Sequence, residues 1–395
     1  MPSDLAKTIN LDKDGGKAVP LYEQIRHQLR DSILSQDRFH DGDQLPSISL
    51  LARELGVNYR TIKAAYNLLA KEGLVTIEPN KAAIVRRKDV LAAWKASQKL
   101  SVSFVSCRHG DGYFVAASEG VRKFAQDHDI EYSMVEVGSN PDRFIEAVTN
   151  PGPDRNGMLI LPLERPGYAA AVRQALEKDI KVVLIDRTLP GIDVSSVESD
   201  HFTGAYLATN HLLKEHGCPV YYFGLTGKPS SCREWVHGWS QAMYGYNYCD
   251  LDSYCIDIGI SEEELTEATD NGLANDTQIA VKLFNTHKQK KYCIYAGNDF
   301  AARGIYAAAD ILGLKIGQDV FVVGYNDMPF ASRFDVPLSS IAQLPSVEAV
   351  GYEAAKLLYE HMLGLVQRPV RRLLPVELKV RQSSIGITSV QNLQD

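Results

Sequence analysis

Eight Lys and Arg side chains crowd the stretch from Arg53 to Lys88 (Arg53, Arg60, Lys63, Lys71, Lys81, Arg86, Arg87, Lys88) against three acids, Glu54, Glu72 and Glu78, a local excess of five positives. The 395-residue chain as a whole carries −7, so the remainder is acidic. Clustered cations are what contact with a phosphate backbone needs, and an acidic remainder keeps the rest of the molecule soluble and off the duplex. A solvated charged face is the bland alternative. Metal and thiol chemistry are not signalled. The six cysteines (Cys107, Cys218, Cys232, Cys249, Cys255, Cys293) show neither CxxC nor Cys/His ligand spacing, so packed, reduced thiols and no metal or cofactor are expected.

Several elements must position the cations. Residues 1–18 have no apolar period and read as a flexible tail. From Leu21 to Leu34 the residues Leu21, Ile25, Leu29 and Ile33 form the stripe of an amphipathic helix, and residues 37–44 read as a loop. Ser47 caps a second helix that buries Ile48, Leu51, Ala52 and Leu55 and stops at Gly56. Asn58 caps a third, Tyr59 to Lys71, which buries Ile62, Ala65, Tyr66 and Leu69 and turns Tyr59, Arg60, Thr61, Lys63 and Asn67 outward. Residues 74–77 and 83–86 alternate as a two-stranded wing. Two short helices around a glycine turn, the second polar and basic at its start, make a helix-turn-helix.

Here "LPSISLLARELGVNYRTIKAAYNLLAKEGLVTIEP" resembles the GntR family of DNA-binding regulators. The resemblance implies a winged helix-turn-helix over residues 19–88, with Ser47, Tyr59, Arg60, Thr61 and Lys63 at the major groove and its flanking phosphates, and Lys81, Arg86 and Arg87 as wing or backbone contacts. The chain departs from the family's pattern at Ile48-Ser49, at Tyr59 and in "PNKAAIV", where the wing's usual glycines are missing.

Residues 89–100, including Trp94, read as a linker. Beyond them short apolar runs alternate with helical stretches ("LSVSFVS", "GMLILP", "KVVLID"), and the rhythm restarts with "VYYFGLT", "KYCIYAG" and "VFVVGY". Such alternation predicts two doubly wound α/β lobes with parallel sheets and a ligand cleft at their strand ends.

The motifs "VLIDR", "VESDHFTGAYLATNHLL", "CREWVHGW", "YAGNDFAARGIYAAADILGLKIGQDVFVVGYNDMP" and "SSIAQLP" resemble LacI/GalR effector domains and ribose-type periplasmic sugar-binding proteins. That resemblance covers roughly residues 101–385 and implies a two-lobed sugar-sensing domain over 101–390. It implies lobe one over about 101–199 and 337–366 and lobe two over about 200–330 and 370–390. It also implies a sugar held by Asp186, Arg187, Arg233, Asn298, Asn326 and Gln343, with Asp111, Tyr113 and Phe114 after the first strand and Trp235 as a wall. The chemistry is coherent, since hydroxyl rings need groups that donate and accept while aromatic faces cover C–H faces. Asp186 could instead cap a turn, the three aromatics could be core, and Asp299 and Asp327 read as loop braces.

Together these features imply a cytoplasmic, homodimeric repressor of sugar utilisation genes. It would bind operator DNA and a neutral sugar, with a nucleoside or sugar phosphate as the alternative effector. No membrane segment is expected, because no apolar run approaches the roughly 20 residues a span needs. An enzyme is not expected. An aminotransferase-type partner domain would need a longer C-terminal region with a Schiff-base lysine, and nothing in the sequence sets two carboxylates at glycosidase spacing.

Overall fold

The computed structural model describes residues 9–11, 20–34, 39–78, 82–86, 100–106, 112–138, 140–152, 155–259 and 270–386. Lys81, Arg87, Asp111, most of the tail and the linker up to residue 99, with Trp94, lie outside them. The chain forms two compact units, Met1–Leu100 with Leu363–Gln367, and Ser101–Met362 with Arg368–Asp395.

In the first unit, α1 (Leu21–Leu34) sends Ile25, Leu29 and Ile33 fully into the core. Ser47 caps α2 (Ile48–Leu55) by accepting the Leu50 N–H, and Gly56 ends that helix at φ 62°, a left-handed conformation cheap only for glycine. Asn58 caps α3 (Tyr59–Lys71) by accepting the Arg60 N–H at 2.8 Å. Tyr66 on α3 is buried and donates its hydroxyl to the Pro46 carbonyl at 2.7 Å, which fixes the entry to α2 against α3. The wing pairs β1 (Val75–Thr76) antiparallel with β2 (Ile84–Val85). Residues 42–44, read from sequence as loop, and Leu45 after them run along β2 as well. Gly42 N–H donates to Val85, Val85 N–H to Asp43 and Leu45 N–H to Ala83, at 2.8–2.9 Å. The wing is therefore braced on both sides of β2.

In the second unit, β3 (Ser101–Ser106), α4 (Gly112–Asp127), β4 (Glu131–Glu136), α5 (Pro141–Thr149), β5 (Gly157–Leu161), α6 (Tyr168–Glu177), β6 (Lys181–Ile185) and β7 (Ser195–Ser199) alternate. The rhythm restarts with α7 (His201–His216), β8 (Val220–Gly224), α8 (Ser230–Gly245), β9 (Cys255–Asp257), α9 (Asp270–Thr286), β10 (Tyr292–Ala296), α10 (Asp299–Ile311), β11 (Val320–Tyr325) and β12 (Ser339–Gln343). There follow α11 (Val347–Met362), β13 (Arg371–Leu374), β14 (Val376–Lys379) and α12 (Gln382–Ile385).

Lobe one carries the sheet β13-β7-β6-β5-β3-β4, wholly parallel, and lobe two the sheet β14-β12-β11-β10-β8-β9, parallel except for β14. The central strands are buried on both faces, as crossover helices on both sides require. The lobe division from sequence needs correcting in two places. Residues 339–343 belong to lobe two, because β12 pairs in parallel with β11, and residues 371–374 belong to lobe one, because β13 extends the sheet beyond β7. The chain crosses between lobes after β7, after β12 and at Pro375. These crossings hold one another: Asp200 N–H donates to Leu374 and Leu344 N–H to Pro375, both at 2.9 Å.

Candidate effector cleft and nucleic-acid interface

On the first unit the outward side of α3 presents Tyr59, Arg60 and Lys63 as exposed groups and Thr61 as a half-buried one, while Ile62, Ala65, Tyr66 and Leu69 point inward. Exposed Ser47 already has a structural task, since its hydroxyl caps α2. Arg86 donates its Nε–H to Thr76 across the wing at 3.2 Å, leaving the guanidinium fork at the wing surface. Arg60 and Lys63 thus sit in the N-terminal half of α3 and Arg86 on the wing, on a frame held by caps and by Tyr66, while Arg53 lies on α2 and Lys71 in the last turn of α3.

In the second unit a cleft of about 560 Å³, its open mouth included, is lined by Tyr113, Phe114, Asp186, Arg187, Leu225, Pro229, Cys232, Trp235, Asn298, Phe300 and Asn326. Strand ends supply the polar groups. Asp186 follows β6 at φ 65°, and Asn326 and Asp327 follow β11 at 101° and 47°. Three non-glycine residues in left-handed backbone at one cleft is the kind of strain that collects at functional sites.

The Asp186 carboxylate is surrounded. Its Oδ1 accepts the Tyr113 hydroxyl at 2.7 Å and lies 3.3 Å from His201 Nε2, and its Oδ2 lies 3.4 Å from Arg187 Nε. Burial alone would raise this carboxyl, but His201, Arg187 and Tyr113 outweigh it and hold it well below the usual carboxylate range. Burial and the adjacent Asp186 push the Tyr113 hydroxyl well above its usual value, so it stays a donor. His201 Nδ1 in turn sits 3.2 Å from the Tyr325 hydroxyl. Arg187 and Asp186 are the charged residues on this wall among the described residues, and they balance.

Across the cleft Asn298 caps α10 through the Ala301 N–H and still lines the cavity. Asp299 is fully buried behind it, accepting Ser340 Oγ–H and Met328 N–H, each at 2.6 Å, which braces the loop that carries Asn326. Burial pushes the Asp299 carboxyl up to about 7 despite those two donors. Asp327 N–H donates to Ser340 Oγ, and the Asp327 carboxylate pairs with Arg381 at 2.7 Å.

Two residues marked from sequence for direct ligand contact are placed elsewhere. Gln343 is buried and donates to Asn326 Oδ1 at 3.0 Å, behind the wall. Arg233 pairs with Glu164, while Trp235, two positions on, lines the cavity. Two residues apart on a helix are separated by about 200°, so one face takes the tryptophan and the opposite face the arginine. Sequence reading also missed Leu225, Pro229, Cys232 and Phe300. Phe300 sits one position inside α10, next to Asn298 and Asp299, and that adjacency was the available signal. Among the described residues no group of three His, Cys, Asp or Glu is placed to hold a metal, and no helix is long and apolar enough to cross a membrane.

The two units match two known families. A family model described as "Bacterial regulatory proteins, gntR family" matches residues 21–85, and one described as "Periplasmic binding protein-like domain" matches residues 210–384. The HTH-type transcriptional repressor PurR of Vibrio vulnificus is 24% identical over 193 residues, 48% of this chain and 54% of its own length. The lactose operon repressor of Klebsiella pneumoniae is 28% identical over 247 residues, 61% of this chain and 62% of its own. The chain thus spans little more than half the length of these relatives. Among solved structures, a complex of the transcriptional regulator CelR with cellobiose superposes with a TM-score of 0.62 at 19% identity, covering 86% of this chain and 99% of that one. A LacI family regulator from Enterococcus faecium with bound ribose gives 0.60 at 19%, covering 73% and 99%. At such identity these likenesses show the fold.

Proposed function

Because this chain joins a GntR-type winged helix-turn-helix to a LacI/GalR-type effector domain, we propose that it is a ligand-responsive transcriptional repressor whose effector is a small neutral sugar bound between the lobes. The cleft wall carries this reading. It combines the flat faces of Phe114, Trp235 and Phe300 with the amides of Asn298 and Asn326 and an Asp186–Arg187 pair that cancels its own charge. An uncharged ring bearing hydroxyls fits such a wall, and among the described residues an anion finds no uncompensated cation on it. The same flat faces suit a nucleoside, which is the second reading. Among the described residues Asp186 is the carboxylate that lines the wall and Asp299 is turned into the fold, so these residues present no facing carboxylate pair, which supports a sensor over a hydrolase.

On the DNA side, the N-terminal turn of α3 enters the major groove of an operator half-site and the wing cations meet phosphates. A symmetric dimer reads two half-sites of a pseudo-palindrome, and the protein works in the bacterial cytoplasm, where its DNA is. Effector and operator are linked: a ligand that favours one arrangement of the heads changes operator affinity by the same free energy, typically about 1–3 kcal/mol.

A thermal-shift screen over pentoses, hexoses, sugar acids, sugar phosphates and nucleosides tests the ligand class, since binding to the folded state raises the midpoint. A neutral sugar is expected to shift it. Asn298→Ser keeps a capping oxygen but removes the amide. That variant should bind the sugar more weakly by roughly one to two orders of magnitude, from the ~1–3 kcal/mol cost of a buried polar group left unpaired. A shift by phosphates alone, or undiminished affinity in Asn298→Ser, overturns the assignment.

A further inference from the structure

Arg233 lies off the cleft wall, and its partner is in the other lobe. Glu164, in the loop after β5 of lobe one, is buried at 7% exposure, whereas the Arg233 side chain, on the first turn of α8 in lobe two, is 44% exposed. The guanidinium grips both carboxylate oxygens, Nη1 to Oε2 at 2.8 Å and Nη2 to Oε1 at 2.7 Å. Nη1 also donates to the Gly227 carbonyl at 3.0 Å, which anchors the arginine to its own lobe. One turn position away, Ser230 Oγ accepts the Thr188 N–H at 2.9 Å, a second bond between lobes. Both contacts fall on the first turn of α8, whose Pro229 and Cys232 line the cleft.

A two-pronged guanidinium–carboxylate pair is among the stronger polar contacts, and a buried carboxylate stripped of its cation is costly. Separating the lobes parts Glu164 from Arg233 and breaks both prongs together. The pair therefore adds weight to the closed form and to no open one.

We propose that Glu164 and Arg233 form an interlobe latch that sets the closed-to-open ratio of the sensor, and through it the affinity for effector, without touching the effector. This rests on the reading of the cleft as the effector site. An effector that needs the closed form binds with an apparent affinity scaled by the closed fraction, so latch strength tunes sensitivity while the wall residues set chemistry. Glu164 and Arg233 are thus positioning residues.

The test uses the full chain and three variants: Glu164→Gln, Arg233→Gln and the exchange Glu164→Arg with Arg233→Glu. Small-angle X-ray scattering without sugar reads the lobe separation directly. Both single variants are expected to show a larger radius of gyration, and the exchange to return toward the parent. With a sugar that shifts the parent's melting midpoint, the single variants should bind about three- to thirtyfold more weakly and the exchange within about threefold of the parent. Parental scattering in both single variants overturns the latch. So does an exchange that restores scattering but not binding, because Arg233 would then be contacting the sugar. If no sugar binds the parent, the effector reading fails, while the scattering result still decides the latch.

Discussion

Asp186 lines the cleft and is held in place by its neighbours. Tyr113, His201 and Arg187 surround its carboxylate, and the Tyr113 hydrogen bond ties α4 to the end of β6. The types of these residues were legible in the sequence, but their division of labour was not. Arg233 shows why. A charged residue next to an aromatic one on a helix can serve either face, and only the phase of α8 against the sheet decides which enters the cavity. Gln343 fails for a related reason: strand alternation does not say which neighbour a buried amide will satisfy, and it satisfies Asn326. On the DNA side the phase of α3 was readable, because Ile62, Ala65, Tyr66 and Leu69 fix its inner stripe. Arg60→Ala and Lys63→Ala should therefore each weaken binding to DNA and lower the slope of log affinity against log salt by about 1 where the side chain meets a phosphate. Anisotropy titrations at several salt concentrations check this, and unchanged affinity and slope in both variants remove α3 from the interface.

Among the elements, helix pairs pack through glycine. A Cβ on Gly120 of α4 would lie 1.8 Å from the Glu348 carbonyl oxygen, and one on Gly351 of α11 1.8 Å from that of Ala117, so α4 and α11 approach backbone to backbone. A Cβ on Gly238 of α8 would lie 2.2 Å from the Phe202 carbonyl oxygen of α7, and one on Gly304 of α10 2.5 Å from Asp276 Cβ of α9, which repeats the device in lobe two. Gly120→Ala has backbone in its way and must push the helices apart. It should destabilise the sensor by about 1–3 kcal/mol or more, seen as a midpoint several degrees lower, whereas Gly245→Ala, with nothing within 4 Å, should leave it unchanged. Helices and central strands were readable from apolar period and caps. The stretch at 42–45 and the short strand β13 were not, because strands held by a few backbone bonds at a sheet edge leave almost no side-chain pattern. That is also why the lobe boundaries came out displaced.

At the scale of the whole molecule two buried carboxyls give the second unit a pH signature. Burial pushes both Asp276 and Asp299 up to about 7, against about 4 for an unfolded aspartate. The folded state then holds more protons than the unfolded one between about pH 4 and 7, so these groups favour folding below that window and their contribution is lost as pH rises through it. Asp276→Asn removes one of the two, and its melting midpoint should decline less than the parent's between pH 5 and pH 8. An identical decline contradicts the assignment. If the two units act as proposed, occupancy of the cleft changes affinity for DNA. The direct measurement is an anisotropy titration of a DNA fragment selected by the parent chain from a random pool, with and without a saturating neutral sugar identified by thermal shift. The sugar is expected to change DNA affinity by about 5- to 150-fold. Equal affinity with the cleft saturated would contradict it.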